Sequence, residues 1–193
     1  MTDSSAGEAV RKRGRPTETE RAQRRDEILD AAQQLFLERG YGDVSLDQIA
    51  SAASVTKRTI YAYVGDKTAV FAAVVSRLNQ LILIPAEHVD LEALAIRLVL
   101  TLHSDVAISL HRMVIAEALQ FPDLARSFHA AGPQKYIDTL GDLIGNSAAA
   151  EQLFAVLLGE PHRRRLLGLD GPPTPAEAEA HAKAALSSLR LQG

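Results

Sequence analysis

Ser45-Leu46-Asp47-Gln48-Ile49-Ala50-Ser51-Ala52-Ala53-Ser54-Val55-Thr56-Lys57-Arg58-Thr59-Ile60-Tyr61-Ala62-Tyr63-Val64 decides how the rest of the chain is read. Ser45 followed by Gln48 is a capping-box pattern: the hydroxyl accepts the Gln48 N–H while the glutamine side chain reaches back. Ile49, Ala50 and Ala53 then share one apolar face. Ser54-Val55 makes a corner, and Thr56 is placed as a second N-cap. The helix after it is about two turns long. It buries Ile60 and Val64 and leaves Lys57, Arg58, Thr59, Tyr61 and Tyr63 for other work. A short helix carrying cations, hydroxyls and aromatic rings, braced by a neighbour, suits the major groove of DNA.

The surroundings agree with that reading. Before the corner, Ile28, Ala31, Ala32, Leu35 and Phe36 recur at helical spacing over residues 18–39, and Gly40 is placed to stop that helix. After it, Asp66 is placed to cap a connecting helix over residues 66–85, along which Val70, Phe71, Val74, Leu78 and Leu81 form a stripe that Pro85 ends. Charge is uneven: the chain carries −3 overall, yet residues 11–25 hold 7 basic against 2 acidic side chains. Residues 1–17 have no periodicity and read as a disordered arm. Within it, Arg11, Arg13 and Arg15 would follow phosphates or enter a minor groove; the plainer alternative is a solubilising tail.

Downstream the composition turns more apolar. Helical stripes are expected over 91–102, over 105–119 with Val106, Leu110, Met113, Val114 and Leu119 inward, over 124–131, from Pro133 through Ile144, over 147–159 and over 174–190. Thr174, Pro175 and Glu177 give the last helix a clear start. No stretch alternates with period two. The expected fold is all-α, about nine helices, with a helix-turn-helix domain at 18–65 and a larger C-terminal domain at 86–193.

Several function classes drop out. With 47% apolar residues a packed core is expected, and with no cysteine there is neither a disulfide framework nor a thiolate metal site. Residues 1–10 lack the apolar centre of a signal peptide, and the longest apolar run, Leu91 to Leu102, is broken by Glu92 and Arg97. A cytoplasmic protein with no membrane partner is the expectation. The six histidines show no metal-ligand spacing, and no nucleophile with a neighbouring base is visible, so neither cofactor nor catalysis is expected.

The segments Ile28-Leu29-Asp30-Ala31-Ala32, Leu35-Phe36, Gly40-Tyr41, Ser45 to Ala50, Val55 to Tyr63 and Asp66-Lys67 together resemble the DNA-binding domain of the tetracycline-repressor-like (TetR-like) transcriptional regulators. Departures from the pattern are Ser54, where glycine is usual, Arg58, where a small residue, often glycine, is usual, and Val64, where an aromatic is usual. The stretch Leu110 to Ala118, with Phe121-Pro122-Asp123-Leu124-Ala125 and Ala131-Gly132-Pro133, resembles an AefR-type C-terminal region. The resemblance implies an all-helical homodimer that presents two helix-turn-helix units to a palindromic DNA operator and is released by a small organic effector. It places Lys57, Arg58, Thr59 and Tyr61 toward the groove and Ser45, Thr56, Tyr63 and Lys67 on phosphates. His103, His111, Met113, Phe121 and Phe128 are the expected effector contacts, with plain core packing the alternative for the last three. Leu153, Leu157, Ala185, Leu186 and Leu189 are the expected dimer seam, with intramolecular core the alternative. The competing function is a helical small-molecule-binding protein or enzyme with a vestigial reader; repressor and activator are both open.

Overall fold

The computed structural model describes residues 17–80 and 90–191, and every regular element among them is a helix. Ten are present: α1 Glu18–Arg39, α2 Leu46–Ala52, α3 Lys57–Tyr63, α4 Lys67–Gln80, α5 Leu91–Leu102, α6 Asp105–Glu117, α7 Pro122–Ala131, α8 Pro133–Ile144, α9 Ser147–Leu166 and α10 Pro175–Ser188. Their starts follow local chemistry. Ser45 and Gln48 close the expected capping box, as do Thr174 and Glu177; a third, Thr17 with Glu20, starts α1. Asp66 accepts the Ala69 N–H at 2.8 Å and so caps α4. Arg11, Arg13, Arg15, Leu81 and Pro85 lie outside the described residues.

Two apolar cores hold the helices. In the first, Ile28, Leu29, Leu35 and Phe36 of α1 meet Ile49, Ile60, Val70 and Phe71, and Leu110 and Val114 of α6 and Leu124 of α7 join from the C-terminal side. Phe36, Tyr41 and Phe71 form an aromatic knot with ring centroids 5.6 to 5.8 Å apart, within the range for favourable ring pairs. The second core gathers α5, α8, α9 and α10 around Leu94, Leu98, Tyr136, Leu140, Leu153 and Leu157.

Three expectations need correction. Leu119 is 98% exposed, because α6 ends at Glu117 and the chain turns before reaching it. The helix expected over 147–159 runs on to Leu166 across a break at Gly159, whose φ of 52° and ψ of −158° are not helical. Leu153, Leu157, Ala185 and Leu186 are buried within the single chain, so their side chains have no surface to offer a second copy; Leu189 packs against the same core. The stripe was real, and its partners are the chain's own α5 and α8.

The break in α9 has a specific repair. Pro161 has no N–H to give Leu157, four residues earlier. His103 Nε2 and His181 Nε2 donate to that oxygen instead, at 3.2 and 3.0 Å. Beyond the break, Arg165 is buried; its guanidinium donates to the carbonyls of His103 and Asp170 and pairs with Asp105 at 2.6 Å. The end of α9 is thereby fastened to the start of α6.

Candidate nucleic-acid interface and the adjoining cavity

α3 is pinned from behind. Ile60 is fully buried in the first core, while Lys57, Arg58, Tyr61 and Ala62 are exposed. Thr56 caps the helix by accepting the Thr59 N–H at 3.1 Å, and the two hydroxyls are 2.8 Å apart, so Thr59 is half-buried and tied to the cap. The corner before α3 places Ser54 at φ 52°, a left-handed conformation that costs an L-residue about 1–2 kcal/mol. Lys57, Arg58 and Tyr61, the last 55% exposed, are the large side chains this helix holds outward.

The other residues expected to contact DNA are placed less freely. Lys57 pairs with Asp47 of α2 at 2.9 Å. The Ser45 hydroxyl is engaged with Gln48 at the start of α2. Tyr63 is half-buried, with the Arg21 guanidinium 5.5 Å from its ring centroid. The Lys67 ammonium sits 4.2 Å from the centroid of the Tyr41 ring and donates to the Gly42 carbonyl at 3.3 Å; burial lowers its pKa. No sequence pattern marks Arg21 and Asp47 as neighbours of Tyr63 and Lys57; the folded chain sets them there.

Behind the reader lies a cavity of about 60 Å³ between α4, α5, α6, α7, α8 and α9. Thr101, Ala107, Leu110, His111, Phe128, Tyr136, Phe154 and His162 line it, among other apolar side chains. Of the expected effector contacts, His111 and Phe128 line this cavity. Met113 packs against the first core, and Phe121 sits edge-on to Tyr41 at 5.4 Å, so neither lines the cavity. His103 faces a second, outer cleft of about 600 Å³ with Arg165, Asp170 and His181. His162 was missed; it comes within 5.3 Å of both His111 and His103, ring centroid to centroid, and so links the two spaces. Burial pushes His103 and His162 down to about 4 and lowers His111, so these rings are neutral near pH 7. Among the described residues no group of three or more His, Cys, Asp or Glu is arranged to hold a metal ion. No single helix there is long and apolar enough to cross a membrane.

The profile of bacterial regulatory proteins of the tetR family matches residues 28–74, and that of the AefR-like transcriptional repressor C-terminal domain matches residues 90–189. The chain belongs to the TetR family. Among relatives of this TetR-family protein, the HTH-type transcriptional repressor BepR of Brucella suis is 39% identical over 79 residues, 41% of this chain and 36% of BepR. The chain thus matches about a third of that relative's length. A TetR-family regulator from Mesorhizobium loti superposes with a TM-score of 0.66 at 26% identity, covering 90% of this chain and 97% of the other. The Flavonoid-responsive Regulator FrrA gives 0.65 at 27% identity, covering 87% and 95%. The family's members are transcriptional regulators, and the all-helical arrangement with an N-terminal helix-turn-helix is theirs.

Proposed function

We propose that this chain is a homodimeric, sequence-specific DNA-binding regulator, acting as a repressor that a small organic molecule releases from a palindromic operator. The observation that carries the proposal is α3: a helix anchored by fully buried Ile60 that holds Arg58 and Tyr61 out to solvent. Arg58 reads a base edge, where a guanidinium matches the O6 and N7 of guanine. Tyr61, Lys57 and Thr59 complete the groove face. Ser45, Thr56, Tyr63 and Lys67 hold phosphates, as do Arg11, Arg13 and Arg15.

The cavity supports the release step. Its volume of about 60 Å³ is well below the roughly 300–1,000 Å³ of small-molecule sites. An effector therefore enters only if the surrounding helices part, and it selects the wider arrangement over the one that fits DNA. Its neutral imidazoles and apolar walls suit an organic compound with few polar groups. For the dimer, α9 and α10 offer small exposed side chains, Ala148 and Ala155 on one and Ala176, Ala180 and Ala184 on the other, which let helices approach closely. Two reader helices about 34–36 Å apart then meet successive turns of one DNA face.

A duplex selected by the protein from a randomised pool tests the proposal. Retention of a two-half-site sequence over scrambled DNA, weakening steeply between 50 and 200 mM salt, is the expected gel-shift result. Absence of sequence preference, or a monomer in sedimentation at micromolar concentration, overturns it.

A further inference from the structure

One carboxylate ties the cavity-bearing half of the molecule to the reader. Glu117, the last residue of α6, accepts the N–H of Tyr41 at 2.7 Å and the N–H of Gly42 at 2.5 Å, one on each oxygen. The loop is shaped around it. Gly40 has a φ of 81°, and a Cβ there would stand 2.6 Å from Glu117 Oε1; one on Gly42 would stand 3.2 Å from Oε2. Lys67 closes the far side of the same loop on the Gly42 carbonyl, and Phe121 packs against Tyr41. Four elements therefore converge on residues 40–42: α1, α4, α6 and the start of α7.

The other end of α6 forms the cavity wall, through Ala107, Leu110 and His111. From Ala107 to Glu117 is ten residues, about 15 Å of helix, with no glycine or proline between them. Leu110 and Val114 also meet the reader core, but apolar contacts are non-directional and tolerate sliding. Charge-assisted hydrogen bonds to two successive amides do not: they fix distance and direction together.

Resting on the effector-responsive reading above, we propose that Glu117 is the positioning residue through which α6 sets the orientation of the reader. A displacement of α6 at the cavity is delivered to residues 40–42 as a pull on two backbone amides. That loop leads directly into Ser45 and α2, which carries α3. Lys67 moves with the loop, because its ammonium is held by the carbonyl of the same residue, Gly42.

Ala107→Phe, which fills the cavity from α6 itself, replaces the unidentified effector in a double-mutant test with Glu117→Gln, using the selected operator duplex. Ala107→Phe weakens operator binding about tenfold or more in the otherwise native chain and less than twofold in the Glu117→Gln background. An equal loss in both backgrounds overturns the role of Glu117 and leaves effector responsiveness standing. No loss in either overturns both. Ala107→Leu serves the same comparison if the phenylalanine variant does not fold. Hydrogen exchange supplies a reading independent of DNA. In Glu117→Gln the Tyr41 and Gly42 amides exchange at least tenfold faster while those of Ile28 and Phe71 are unchanged, and Glu117→Asp restores part of the protection. Unaltered exchange at Tyr41 and Gly42 overturns the proposal.

Discussion

Lys57 Nζ lies 2.9 Å from Asp47 Oδ2, so the first residue of α3 is bridged back to α2 across the corner that joins them. The hydrogen bond that Lys57 donates to Asp47 raises the lysine pKa, so the ammonium is charged, but a neighbouring carboxylate offsets its charge toward a phosphate. Both side chains are exposed, and pairs of this kind contribute little to stability.

Asp47→Asn removes the competing charge and keeps the shape. Non-specific DNA affinity should rise roughly three- to tenfold at low salt, as expected for loss of one repulsive charge near the duplex. Titrations of scrambled DNA at several salt concentrations check it, with the melting temperature unchanged. A fall in affinity would mean that Asp47 orients Lys57 productively.

Arg58→Ala should cost about 1–3 kcal/mol on the selected operator and flatten the preference at one position of each half-site. Competition between the operator and single-base variants measures this. If affinity falls equally for every sequence, Arg58 holds a phosphate instead.

Ser54→Gly should stabilise the chain by about 1 kcal/mol, since glycine adopts the left-handed corner without a Cβ clash, less its own entropy in the unfolded chain. Urea unfolding detects this as a higher midpoint with an unchanged slope. A loss of stability would show that the Ser54 hydroxyl contributes more than the strain it carries.

Acid should weaken the fold through the buried imidazoles. His103 and His162 have folded-state values of about 4 against an ordinary 6.5, so between those pH values the unfolded chain binds more protons. Their contribution is therefore complete above pH 6.5 and lost as pH falls toward 4, at most about 3 kcal/mol each if they titrate independently. His111 acts in the same direction. Unfolding measured from pH 7.5 to 5 should show this slope, and His162→Phe should reduce it.

What the sequence makes legible is local. The caps at Ser45, Thr56 and Thr174 are settled within four residues, so they read correctly, as does an α3 with Ile60 inward and Arg58 outward. The long-range partners do not read. Glu117 meets an amide 76 residues away, and a lone carboxylate on a helix carries no mark of it. Leu153 and Leu157 form an apolar stripe whether they face another copy or their own neighbours; periodicity shows that a face is covered, not by what. His162 lies three residues past the break at Gly159 and its ring is buried, a placement that no local pattern around it marks.

That break has a chemical consequence on two other helices. A carbonyl oxygen can only accept, so the two rings that meet Leu157 each carry their proton on Nε2 when neutral, leaving Nδ1 as the single basic nitrogen. His103 closes α5 and His181 lies within α10, far apart in the chain, yet both are held in the same tautomer. The amide that Pro161 lacks thus selects a protonation isomer at two positions that share no sequence neighbourhood with it.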